Sequence, residues 1–153
     1  MSELIIRPVA PTDFAAWKPL WDGYNAFYGR EGATALPDEV TQATWGHFFN
    51  PDEPVFGWVA EVDGELVGLC HCLYHRSTTR LALTCYLQDL FTAPTRRQQG
   101  IGRALIEAVY GQAREAGIQR VYWQTHVTNT TGRRLYDQVA QHHGFIIYAH
   151  DVR

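Results

Sequence analysis

The sequence predicts a single mixed α/β domain spanning residues 1–153, with the element order β-α-α-β-β-β-α-β-α-β. Three observations carry this expectation. Runs of strand formers alternate with helical periodicity along the chain. Asp63–Gly64 separates two such runs, the signal of a tight hairpin. Gly100-Ile101-Gly102 follows a long strand pattern and opens a helical one.

The elements follow in order. LIIRPV reads as a short strand. In PTDFAAWKPLWDGYNAFYG, Trp17, Trp21, Tyr24 and Tyr28 share one helical face, and Pro19 is expected to kink or divide the helix. A loop, REGATALP, leads to a shorter helix in DEVTQATWGHFF. PVFGWVAEVDGELVGLCHCLYH supplies the hairpin, and LALTCYLQDLFTAP is a further strand ended by Pro94. Ile101, Ala104, Leu105, Ala108, Val109 and Ala113 then give one apolar helical face, with Gly117 as its stop. QRVYWQTHV reads as a strand. NTTGRRLYDQVAQHH reads as a helix capped by Asn129 and stopped near Gly144, and FIIYAHD as a last strand.

Bulk properties narrow the function. With 153 residues, 46% hydrophobic and 19% charged, the chain suits a globular domain with a true core. A net charge of −3 argues against a generally basic nucleic-acid binder. No apolar run approaches the roughly 20 residues a membrane helix needs. The opening MSELIIRPVAPTDF has no basic stretch leading into an apolar one, so neither a secretion signal nor a membrane partner is expected. Three cysteines, an odd number, suit a reducing cytoplasm better than a disulfide framework.

Two segments invite chemistry. CHCLYH offers Cys70, His71, Cys72 and His75, but a strand turns His71 away from the two cysteines and no second ligand pair follows, so no metal is expected. Nothing near Cys85 in the sequence suggests an activated nucleophile. The stretch TRRQQGIGRAL is more informative. A helix N-terminus carries unpaired N–H groups and partial positive charge, and glycines there let an oxyanion approach. Arg96, Arg97 and Arg103 add charge around it. A P-loop would need Gly-Lys-Ser/Thr where Gly102-Arg103-Ala104 stands, and a dinucleotide fold would place its glycines directly after the strand. Neither pattern fits.

YLQDLFTAPTRRQQGIGRAL as a whole resembles the acyl-CoA signature of the GNAT-type N-acetyltransferase superfamily: strand, proline-containing loop, then Arg/Gln-x-x-Gly-x-Gly/Ala at the start of a helix. Arg97, Gly100 and Gly102 occupy the marked positions. Asn129 and Tyr136, seven residues apart, match the family's Asn and Tyr, and IIRPVAPTDF resembles its first strand. RVYWQTHVTN with RRLYDQVAQHHGF resembles the branch that acetylates polyamines, histone tails and other small or exposed amines.

The resemblance implies a GNAT-like fold with acetyl-CoA as cofactor. Leu90, Phe91 and Thr92 would pair with the pantetheine arm, as a strand edge pairs with a peptide. Arg97, Gln98, Gln99, Gly100, Ile101, Gly102 and Arg103 would hold the pyrophosphate. Asn129 would contact the cofactor near its reactive end, or simply cap its helix. Tyr136 would be the general acid for the departing thiolate, with a packed core tyrosine as the alternative. Relatives of the polyamine type place a base where this chain has Gln88, which cannot accept a proton at neutral pH. Asp89, Glu61 or an ordered water chain stay open for that role, with a strand-end hydrogen bond as the alternative fate of Asp89. Phe27, Tyr28, Tyr122, Trp123 and Gln124 fall where relatives touch substrate, although an aromatic stripe at helical spacing also suits a core. The implied partners are a small-molecule amine or a lysine-bearing peptide and a second copy of the chain. A non-catalytic acyl-CoA sensor is the alternative function.

Overall fold

The computed structural model describes residues 3–153, which fall into two compact units divided after Trp123. The first contains a five-stranded sheet in the order β1 (Leu4–Pro8), β2 (Val55–Val62), β3 (Glu65–His75), β4 (Thr84–Thr92) and β5 (Val121–Tyr122). All neighbours are antiparallel except β4 and β5, which are parallel. The β2–β3 hairpin turns at Asp63 and Gly64, both with positive φ (52° and 79°), the backbone of the tight turn their sequence signals.

Helices cover both faces. Alternation along β3 sends Leu69 and His71 toward α1 (Phe14–Phe27), and Gly68, Cys70 and Cys72 toward α3 (Ile101–Glu115). Trp17, Leu20, Trp21 and Tyr24 of α1 pack with Val59, Leu66, Leu69 and Phe91. Trp17 stacks on Trp21 at 5.5 Å and meets Trp45 of α2 (Asp38–His47) at 4.7 Å. Each buried tryptophan removes about 150–250 Å² from water, roughly 4–6 kcal/mol as an upper figure. That explains the first departure from expectation: α1 runs unbroken through Pro19. Proline forfeits the one N–H bond it would make to Ala15, while Trp17, Leu20, Trp21 and Tyr24 hold the helix down on both sides of it.

On the other face, Ile101, Leu105, Ile106 and Val109 bury the apolar stripe of α3. Gly68 sets how closely it docks. A Cβ there would meet Ile101 Cγ2 at 3.0 Å and Leu105 Cδ1 at 3.2 Å. Helix α3 ends as its glycine signals, with Gly117 at φ +73° and the Ile118 N–H bonded to the Ala113 carbonyl at 2.8 Å.

The second unit, Gln124–Arg153, contains α4 (Thr130–Val139). Two expectations are corrected there and at the border. The strand read in QRVYWQTHV is only Val121–Tyr122, and FIIYAHD joins no strand among the described residues, where α4 is the last element. Phe145, Ile146, Ile147 and Tyr148 are instead exposed. Strand-forming side chains do not make a strand unless a second backbone completes the ladder.

Candidate functional site

The site is built where β4 ends and α3 begins. β4 pairs with β3 over its whole length, up to Thr92 opposite Gly68, but with β5 only at Cys85–Val121 and Tyr86–Tyr122. Among the described residues, Leu87 to Thr92 therefore have no ladder partner on the β5 side. Leu90, Phe91 and Thr92 lie on that open edge. Their side chains do different work: Phe91 is buried against Gly23 of α1, while Leu90 and Thr92 are half-buried.

Pro94 ends the strand in a short 3₁₀ turn, and the chain then crosses Arg97, Gln98 and Gln99, all exposed, to reach α3. The Arg97 guanidinium lies 5.6 Å over the Phe91 ring, and its Nε donates to the Thr92 carbonyl at 3.4 Å. Gln98 and Gly100 both have positive φ (63° and 80°). Gly100 is the N-cap of α3 and no side chain caps that turn. The first helical bond runs from Ala104 N–H to the Gly100 carbonyl, so the N–H groups of Ile101 and Gly102 precede the ladder and point out of the helix end. Ile101 is buried against Gly68, and Gly102 and Arg103 are partly exposed. An anion-accepting helix end thus adjoins an unpaired strand edge.

Asp89 sits three residues before Thr92 and is buried. The β3–β4 register brings it there: Cys72 pairs with Leu87 and His71 with Asp89, leaving Gln88 as an extra residue in a bulge. Asp89 Oδ2 lies 2.8 Å from His71 Nδ1, and Trp17 Nε1 donates to His71 Nε2 at 3.1 Å. An indole N–H can only donate, so Nε2 is the acceptor and Nδ1 carries the hydrogen that Asp89 receives. Beside this pair, the Tyr24 hydroxyl donates to the Gln88 carbonyl at 3.3 Å and lies within reach of the Asp89 carboxylate. Burial, then the Asp89 charge, pushes the Tyr24 and Tyr28 phenols up from their usual value, so both keep their protons at neutral pH.

Glu61 stands elsewhere. It bonds Arg7 at 3.3 Å from β2, with β3 between it and β4, and Arg7 also grips Asp13 at 2.7 Å. Its carboxylate is committed to that cluster rather than to the β4 edge.

The substrate expectations divide. Tyr28 belongs to the phenol group around Asp89, and Phe27 is exposed with its ring edge-on to Tyr28 at 5.1 Å. Tyr122 stacks on Tyr86 at 4.9 Å and bonds His75 Nε2 at 2.8 Å. Burial, then its neighbours Tyr122 and Asp89, pushes the Tyr86 phenol up as well. Trp123 stands against Tyr110 of α3, on the opposite side of the sheet. Gln124 begins the second unit and is exposed.

Within that second unit, Asn129 caps α4. Its Oδ1 accepts from Gly132 N–H at 3.1 Å and its Nδ2 donates to Thr125 Oγ1 at 2.9 Å. A side chain at position 132 would collide with Asn129. Tyr136 lies half-buried on the same helix.

The cysteines have a structural fate. Cys70, Cys72 and Cys85 are buried facing α3. The bond with Cys70, with burial, pushes the Cys72 thiol well above its usual range against the opposing bond with Cys85, and the bond with Cys72, with burial, does the same to the Cys85 thiol. They stay protonated and are poor nucleophiles. Among the described residues, no group of three or more His, Cys, Asp and Glu side chains is placed to hold a metal. Two residues escaped the sequence reading, His71 as a partner for Asp89 and Arg30 beside Tyr24 and Tyr28. For His71, a hairpin register with its bulge would have been needed to find it.

The chain is similar to known proteins of one family. The sequence model of the Acetyltransferase (GNAT) family matches residues 17–145. The D-amino-acid N-acetyltransferase HPA3 of Saccharomyces cerevisiae is 32% identical over 147 residues, covering 95% of this chain and 89% of that protein. The uncharacterized N-acetyltransferase YhfO of Bacillus subtilis is 28% identical over 149 residues, 96% and 97% of the two chains. Among solved structures, the aminoglycoside N-acetyltransferase AAC(6')-Iy in complex with CoA superposes with a TM-score of 0.84 at 19% identity, covering 99% and 96%.

Proposed function

Because this chain belongs to the Acetyltransferase (GNAT) family, we propose that it moves an acetyl group from acetyl-CoA to a primary amine by direct attack in a ternary complex. The observation that supports this reading most is the unpaired Leu87–Thr92 edge beside the uncapped start of α3. The edge suits the amides of a pantetheine arm, and the helix end with Arg97 and Arg103 suits a diphosphate. The CoA-bound neighbour and the N-acetyltransferase relatives support acetyl-CoA as donor.

The chemistry then divides into two proton problems. The amine nitrogen attacks the thioester carbonyl, loses one proton, and the C–S bond breaks to release the CoA thiolate. A lysine-like amine is neutral in only about 1 molecule in 10³ at pH 7, a deficit of roughly 4 to 5 kcal/mol. Asp89 is the proton acceptor in this reading, its carboxylate oriented by the His71 Nδ1–H. Tyr136 is the donor to the thiolate, and Asn129 a cofactor contact as well as a cap.

The acceptor in this reading is a small primary amine, reached between the Tyr28 and Tyr122 phenols; a lysine-bearing peptide is the second candidate. The chain acts as one acetyltransferase domain of residues 1–153, in the cytoplasm, where three buried free thiols are at home. No helix among the described residues is long and apolar enough to cross a membrane. The exposed apolar run Phe145–Tyr148 is the surface through which a homodimer would form, and light scattering tests it.

Titrating CoA into labelled protein tests the cofactor assignment. Amide shifts concentrated at Leu90–Thr92 and Gln98–Arg103 support it, and shifts elsewhere overturn it. Release of free CoA thiol across a panel of amines tests the reaction.

A further inference from the structure

Helix α1 ends with Gly29 at φ +80°, and the Arg30 N–H returns to the Asn25 carbonyl at 2.9 Å. The Arg30 side chain is clamped as well: its Nε donates to Asn25 Oδ1 at 2.7 Å, and buried Asn25 is itself fixed by its Nδ2 donating to the Trp21 carbonyl at 2.9 Å. The guanidinium lies 5.9 Å from the Tyr24 ring centre and 5.5 Å from that of Tyr28. The same two phenols have the Asp89 carboxylate as their other charged neighbour. Arg30 and Asp89 form no ion pair with each other, and Arg30 enters none of the ion pairs of the described residues. One fixed cation and one fixed anion thus border a single phenol-lined site without neutralising each other.

A helix C-terminus alone would favour a cation at this place. It would not require that cation to be held near two rings by a buried amide. With Nε committed to Asn25, the two Nη groups present the planar fork that a carboxylate fits bidentately. A diamine would bring its second ammonium toward Arg30 and be repelled, which sets this site against polyamines. We infer that the acceptor is an amino acid, its carboxylate held by Arg30 and its ammonium group facing Asp89. This rests on the acetyl-transfer reading above and names the substrate class of that same site.

The test compares matched acceptors by CoA thiol release with the full-length protein. For alanine, phenylalanine and lysine, in both enantiomers, the free amino acid is set against its amide and its decarboxylated amine, each corrected for its neutral fraction at the assay pH. The expected kcat/KM favours at least one free amino acid by tenfold or more. R30Q should erase at least tenfold of that preference through KM, and R30K should recover part of it, since a point charge keeps the attraction without the fork. Amides or decarboxylated amines acetylated as well as the free acids would overturn the inference while leaving acetyl transfer to amines intact. Absence of CoA release with every acceptor would overturn both. If R30Q does not fold, the wild-type preference alone decides.

Discussion

His71 and Asp89 face each other across the β3–β4 ladder at 2.8 Å, and Trp17 closes the other side of the imidazole at 3.1 Å. The three groups form a buried line in which each hydrogen has one destination: indole N–H to Nε2, Nδ1–H to carboxylate. Its outer end is Asp89, on the strand whose open edge begins the proposed cofactor site.

Asp89→Asn keeps the shape and removes the proposed proton acceptor. Turnover is expected to fall by roughly 10²-fold or more, the usual worth of general-base catalysis, with little change in KM for acetyl-CoA. Steady-state thiol release measures both, and unchanged kcat would remove Asp89 from the mechanism. Trp17→Phe leaves Nε2 of a buried imidazole unsatisfied and should cost about 1–3 kcal/mol of stability by chemical denaturation.

Tyr136→Phe deletes one hydroxyl from α4. If that hydroxyl protonates the thiolate, kcat drops while the dissociation constant for acetyl-CoA, measured by calorimetry, stays within about twofold. Equal losses in both would instead make Tyr136 a packing residue.

Gly68→Val tests how the proposed cofactor site is held. The new side chain must push against Ile101 and Leu105, the first turns of α3. Overpacking of this kind costs about 1–3 kcal/mol, and displacement of the α3 start should weaken CoA binding several-fold. Gly29→Ala, at a left-handed backbone position and with no atom within 4 Å of the new Cβ, is the control. It should lower stability by about 1–2 kcal/mol without changing CoA affinity.

The Arg7–Asp13–Glu61 cluster predicts an acid-side loss of stability. The Arg7 guanidinium holds the Asp13 carboxyl below the usual carboxylate range, against the opposing effect of burial. A group whose folded value is depressed stabilises the protein above its unfolded value, near 3.9, and that contribution is lost as pH falls through the folded value. Denaturation midpoints measured from pH 6 down to pH 2 should decline across this window, and Asp13→Asn should flatten the decline.

The three cysteines should resist alkylation by iodoacetamide at pH 7.5 and react fully in urea, because all are buried and the Cys72 and Cys85 thiols are pushed up. Rapid labelling of the native protein would mean that the α3 face opens.

By itself, the sequence determined whatever depends on a few adjacent residues. The Asp63–Gly64 turn, the αL glycine that starts α3, the glycine stop after it and the Asn129 cap are local backbone requirements. Each is written in the residue that meets it. The family signature was legible for the same reason: a loop that wraps an anion must carry its glycines and arginines in consecutive positions. Tertiary structure decided what depends on register and on partners. Strict alternation from Cys85 would turn Asp89 toward α3; the bulge at Gln88 turns it back to meet His71. Arg30 reaches Tyr24 and Tyr28 only because α1 closes on Gly29 and Asn25 clamps the side chain. Phe145–Asp151 carries a strand's composition, yet it joins no strand among the described residues, because a ladder needs a second backbone that its own residues do not specify. Backbone preference belongs to the residue, whereas a ladder or a charge pair belongs to two segments far apart in the chain, and folding alone brings them together.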